Sequence, residues 1–214
     1  MNAPSPGLAE RLRTGTRDLH TQTERAGVMP ALLRGELSRE RYCALLRNLH
    51  ALYVALESAL TQHAAHGEVA PVVFPALFRQ HALADDLTAL HGSDWPQAIG
   101  LQSATQHYVE RLHGLAAGQP ALLTAHAYVR YLGDLSGGQA LRRIVARAYA
   151  LTDDAGARFY DFGPSEAVRM HAQRFRDGLG ALGIDVPHME ALVAEARWAF
   201  ARHGELFEQL ADAR

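Results

Sequence analysis

Apolar residues recur along this chain at the three- and four-residue spacing of a buried helix face, from its first segment to its last. Leu8, Leu12 and Leu19 mark the first stripe. Ser5-Pro6 reads as its N-cap and first helical residue, and the helix runs to about Ala26 and stops at Gly27. Ser38 opens a second helix carrying Tyr42, Leu45, Leu46, Leu49, Leu52, Tyr53, Leu56 and Leu60 on one face. From His63 to Gly100 the pattern is broken by Pro71, Pro75, Gly92 and Pro96, which predicts short helices and loops. A helix over Ser103 to Leu115 follows, then a long one from Pro120 to about Ala150. Asp153 to Gly163 reads as a loop. Pro164 opens a helix ending near Gly183, and Pro187 opens the last, with Leu192, Trp198, Phe200, Leu206, Phe207 and Leu210. No stretch alternates as a half-buried strand does. The expectation is an all-α, single-domain helical bundle over residues 1–214.

Composition narrows what such a bundle can do. Hydrophobic residues make up 48% of 214, enough for a substantial core, while a net charge of −2 argues against gripping nucleic acid by charge. All 21 basic residues are arginine, so a Schiff-base lysine and a phosphate-binding-loop lysine are both excluded. Cys43 is the only cysteine, which rules out an intrachain disulfide and a cysteine-rich metal site. The opening MNAPSPGLAERLR has no apolar signal core, and no run of ~18 apolar residues offers a membrane span. A cytoplasmic protein with no membrane contact is expected.

One segment conflicts with its own helical pattern. YVRYLGDLSGGQALRR, Tyr128 to Arg143, places Gly133, Gly137 and Gly138 inside six positions. Each glycine costs a helix interior roughly 1 kcal/mol relative to alanine. The string LSGGQ matches an ATPase signature, but that signature acts beside a lysine-bearing phosphate loop this chain cannot contain. Gly133 and Gly137 share a helix face, which suits either a tight helix crossing or the close approach of something flat. Arg130 and Asp134 are also one turn apart, which reads as an ion pair beside the bare strip or as an ordinary surface pair worth ~0.2–0.5 kcal/mol. His20 and Glu24 stand one turn apart on the first helix. A carboxylate beside an imidazole is the usual support of a metal-ligating histidine, and is also a common surface pair. A di-iron bundle needs two Glu-x-x-His pairs, and only Glu110 to His113 is present.

Together these segments resemble haem oxygenase over nearly the whole chain. LHTQTE, Leu19 to Glu24, is similar to the family's proximal helix, and YLGDLSGGQ, Tyr131 to Gln139, to its distal helix. ALYVALE, Ala51 to Glu57, and EARWAF…ELFEQL, Glu195 to Leu210, match further family segments in the same order. The resemblance implies haem b sandwiched between the two helices, serving as both cofactor and substrate. Dioxygen and electrons convert it to biliverdin, carbon monoxide and ferrous iron. A ferredoxin or an NAD(P)H-dependent reductase supplies the electrons. His20 matches the iron ligand and Glu24 the group bonded to its other nitrogen. Gly133 and Gly137 match positions that contact haem and bound oxygen, and Asp134, Arg130 and Tyr53 match the distal network. Arg13, Arg17, Tyr128 and Arg176 match positions at the propionates or their rim. Two departures stand out: the family often has lysine at Arg13 and Arg17, and a second basic position one turn before Arg176 is Ala172. A haem carrier would need His20 and the glycines but not the distal set.

Overall fold

The structure, a computed structural model, describes residues 6–153 and 155–212. Eleven α-helices follow in order among them: α1 (Leu8–Gly15), α2 (Arg17–Thr23), α3 (Met29–Arg34), α4 (Arg39–Gln62), α5 (Gln80–Leu90), α6 (Trp95–Ala98), α7 (Ser103–Gly118), α8 (Leu123–Ala127), α9 (Gly133–Ala148), α10 (Ser165–Gly180) and α11 (Val186–Asp212). No strand occurs among the described residues, and the all-α expectation holds.

The two longest helices organise the core. Ser38 caps α4 by accepting from the Arg41 backbone N–H at 3.3 Å, and the stripe from Tyr42 to Leu60 is buried along the helix. Packing on α5 and α7 covers that face. Each fully buried leucine in it contributes ~1.5–3 kcal/mol of transfer free energy. The last helix, α11, lies against α1, α2, α7 and α8 and buries Leu192, Leu206, Phe207 and Leu210.

Three expected elements differ in detail. The first helix is two helices, because Gly15 packs so closely on α11 that a Cβ would lie 2.6 Å from Val193 Cγ1. Beside it the Thr16 hydroxyl donates back to the Leu12 carbonyl at 2.7 Å, a bond that bends helices. The cap expected at Ser5 lies outside the described residues, but Pro6 is not the first helical residue: α1 starts at Leu8, with Gly7 at the N-cap position. Gly27 takes φ +46° where expected, and a Cβ there would meet the Phe207 carbonyl. The short α3 follows it, where no helix was expected, and ends at Gly35 in the left-handed region. The long helix from Pro120 is interrupted: a 3₁₀ turn, Pro120–Leu122, leads into α8, and a π-helical turn, Tyr128–Leu132, joins α8 to α9. Such a turn admits one extra residue and is frequent at functional sites. Here it stands immediately before Gly133. The helix from Pro164 stops at Gly180, earlier than Gly183.

Candidate functional site

A cleft of about 240 Å³ is walled by α2, α3, the π turn, α9 and α11. His20 and Glu24 reach it from α2, and Gly133, Asp134 and Gly137 from α9. Most of the remaining lining is apolar, including Met29, Leu141, Phe200 and Phe207.

Bonds from α11 fix the position of α2. Arg197 of α11 donates to both carboxylate oxygens of Asp18 at 2.8 and 3.0 Å and also to the Gly15 carbonyl. The His20 side chain is 50% exposed, and its ring meets Phe200 edge-on at 5.7 Å between centroids. Glu24 lies on the same side, with Oε1 3.8 Å from His20 Nδ1. That is beyond hydrogen-bond reach. The expected pair is adjacent without being bonded.

The α9 wall resolves the glycine conflict. A Cβ built on Gly133 or Gly137 meets nothing within 4 Å, so these two glycines face open space and form no helix crossing. Gly138 behaves differently. It is buried, and its Cβ would lie 3.3 Å from the Tyr160 carbonyl. It serves packing and does not widen the bare strip.

Behind that strip the distal set comes together. Arg130 Nη2 donates to Asp134 Oδ1 at 2.9 Å, Arg130 Nε donates to the Tyr53 hydroxyl at 3.1 Å, and that hydroxyl donates to Asp134 Oδ2. The Arg130 and Asp134 side chains are only 12% and 9% exposed, which overturns the surface-pair reading. Burial raises the Asp134 carboxyl above its ordinary range, opposed by Arg130, Tyr53 and Arg79. Burial also acts to lower Arg130, but Asp134 and Tyr53 outweigh it and hold the guanidinium charged. Tyr53 is pushed well up, by burial first, so its proton stays on.

The remaining expected residues lie apart from the cleft lining. Tyr128 is partly buried, and the Thr16 hydroxyl, Arg13 and Arg176 stand close enough to act on its phenol. Arg13 is exposed and forms a two-pronged pair with Glu10 at 3.0 and 2.7 Å. Arg17 and Arg176 are exposed. Three of the four expected rim residues therefore group at one place, and none borders the cleft.

Two features went unread in the sequence. Asp86 accepts the backbone N–H groups of Gly156, Arg158 and Phe159 at 2.8–2.9 Å, pinning the loop that carries Phe159 and Tyr160 into the cleft wall. An acidic residue in a short helix gives no sequence signal for that clamp. His203 borders the cleft from α11 and contacts Arg130. Within RHGEL it looks like one more helical polar residue.

Comparison with known proteins agrees with this geometry. Residues 6–209 match the heme oxygenase family. The chain is 40% identical over 208 residues to heme oxygenase 2 of Synechocystis sp., covering 96% of this chain and 83% of that one. It is 38% identical over 203 residues to heme oxygenase of Porphyra purpurea, covering 95% and 86%. The crystal structure of heme oxygenase-2 from Synechocystis sp. in complex with heme and NO superposes with a TM-score of 0.93 at 40% identity, covering 97% of this chain and 86% of that one. Heme oxygenase from Leptospira interrogans superposes with a TM-score of 0.91 at 32% identity, covering 95% and 100%. With the family matched across nearly its whole length, the chain belongs to the heme oxygenases.

Proposed function

We infer that this protein cleaves haem oxidatively to biliverdin, carbon monoxide and ferrous iron, consuming dioxygen and reducing equivalents. The observation that carries the reading is the shared cleft. An accessible imidazole on α2 and a glycine strip on α9 line one space, and a buried Tyr53–Asp134–Arg130 set adjoins it.

The residues fit haem b. His20 offers an imidazole to the cleft, and the bare backbone at Gly133 and Gly137 leaves room for a flat ring where side chains would intrude. When bound, haem supplies the iron at which dioxygen is activated and the porphyrin that is opened. The chain's own residues do the rest. His20 would hold the haem through its imidazole, and Glu24, 3.8 Å away, is placed to orient that ring. Apolar walls exclude bulk water. Asp134 and Tyr53 would order a proton donor beside the glycine strip. Arg130 keeps Asp134 in place. We assign Arg13, Arg17, Tyr128 and Arg176, which stand outside the cleft lining, to an outer rim for the propionates, and the same arginines suit an acidic electron donor such as a ferredoxin or an NAD(P)H-dependent reductase. We place the activity in the cytoplasm, with residues 1–214 acting as one domain. Among the described residues no helix is long and apolar enough to cross a membrane.

A haem carrier is the competing reading, and the intact distal set favours the enzyme over it. Haemin titration followed by ascorbate under air tests both. A bilin spectrum replacing the Soret band supports cleavage, and a persistent Soret band supports a carrier.

A further inference from the structure

The distal set has a fourth member on α11 that the expected site does not include. His203 is 2% exposed and borders the cleft. Its Nε2 lies 3.4 Å from Arg130 Nη1. A guanidinium has only donors, so this contact requires Nε2 to be the bare, accepting nitrogen of a neutral ring. The proton is then on Nδ1, and Nδ1 is buried with no hydrogen-bond partner. Leaving a buried donor unmade costs stability, which argues against a purely structural reason for histidine here. Tyr108 and Phe207 pack on the ring, and burial, with Arg130 and His126 nearby, holds its pKa well below the ordinary value.

Arg130 is thereby held from three directions. Nε points to Tyr53, Nη2 to Asp134 and Nη1 to His203. The first two partners set the plane of the rigid guanidinium from α4 and from its own helical path, and leave its far nitrogen without a tie to α11. The third ties the guanidinium to α11, the helix that also carries Phe200 against His20.

We propose that His203 is a positioning residue for haem cleavage: its neutral Nε2 accepts from Arg130 and holds the guanidinium against Tyr53 and Asp134. The role rests on the haem-cleaving activity inferred above. The role is exercised through Arg130, so the expected contribution is to rate and not to affinity.

The test has two arms. In the first, ¹⁵N NMR of the haem-free protein reads the His203 ring directly at neutral pH. We expect a neutral ring protonated on Nδ1. A ring protonated on Nε2, or on both nitrogens, overturns the proposal whatever the enzyme does. In the second, His203→Leu and His203→Gln are compared in single-turnover biliverdin formation. Leucine removes the acceptor, while the glutamine Oε1 can take the place of Nε2. We expect leucine to slow the reaction about tenfold with haem affinity unchanged, and glutamine to recover most of the loss. Wild-type rate in the leucine variant, or glutamine no better than leucine with both folded, overturns the proposal. Should leucine fail to fold, the glutamine variant and the NMR arm still decide. Wild-type protein that forms no biliverdin counts against the functional reading itself, which the NMR arm leaves separable.

Discussion

Arg130 Nη2 lies 2.9 Å from Asp134 Oδ1, one turn apart on a continuous helical path and almost wholly out of solvent. At an exposed site that spacing is worth a few tenths of a kcal/mol. Buried, the same pair is costly to break, because removing one partner strands the other's charge. We therefore expect Asp134→Ala to destabilise the haem-free protein by ~3–5 kcal/mol, as other broken buried pairs do. Asp134→Asn keeps an acceptor and should be milder. Both should bind haem and fail to accumulate biliverdin. Urea unfolding of the haem-free variants, with bilin yield alongside, separates the two effects.

The glycines give a second expectation that differs between neighbouring positions. Gly137→Ala adds a methyl into open space, so the haem-free protein should gain up to ~1 kcal/mol from helix propensity while haem affinity falls. Gly138→Ala pushes a methyl toward the Tyr160 carbonyl, so no such gain is expected. Thermal melts and haemin titrations of the two variants check this. Equal behaviour would contradict the division of roles.

Helix class and the order of the main elements were legible because α4 and α11 carry long stripes at helical period. The distal segment stood out because a glycine run in a helical pattern is locally unfavourable, which left a tight crossing or a flat ligand open; the ligand and the proximal segment were legible only through the resemblance to haem oxygenase. What periodicity could not show is set by tertiary contact. The break at Thr16 depends on how closely Gly15 approaches Val193, and the π turn has no composition cue. Burial of Arg130–Asp134 depends on α4 and α11 closing over it. His203 and Asp86 act through distant partners, Arg130 and the 156–159 loop, which no local pattern reveals.

Buried carboxylates set a pH dependence of stability. Burial raises Glu57 to about 7, against the Arg79 and Gln80 backbone N–H groups it accepts. A carboxyl raised above its unfolded value binds its proton more tightly when folded. Its contribution is therefore full below the unfolded pKa and is lost as pH rises through about 7. Glu57→Gln cannot titrate. The stability of wild type minus that of Glu57→Gln should fall between about pH 5 and about pH 8. A flat difference in chemical denaturation over that range would show that Glu57 is not perturbed.

The positive rim predicts a salt-sensitive effect. Arg176→Glu should slow turnover driven by an acidic protein donor, most at low ionic strength, while ascorbate-driven turnover changes little. Steady-state rates against salt concentration with each donor check it. An equal loss with both would confine Arg176 to seating the haem propionates, with no part in meeting the donor.

The ligand assignment is tested by His20→Ala. It should lose the histidine-ligated Soret spectrum, and added imidazole should restore both spectrum and turnover. An unchanged spectrum would move the iron ligand elsewhere.

The most direct measurement follows the haem complex under air after a reductant is added, recording the Soret band, the bilin band and released carbon monoxide together. We expect the Soret band to decay as biliverdin appears, with one carbon monoxide released per haem. A histidine-ligated haem complex that persists through repeated reduction, with neither bilin nor carbon monoxide formed, would contradict haem cleavage by this protein.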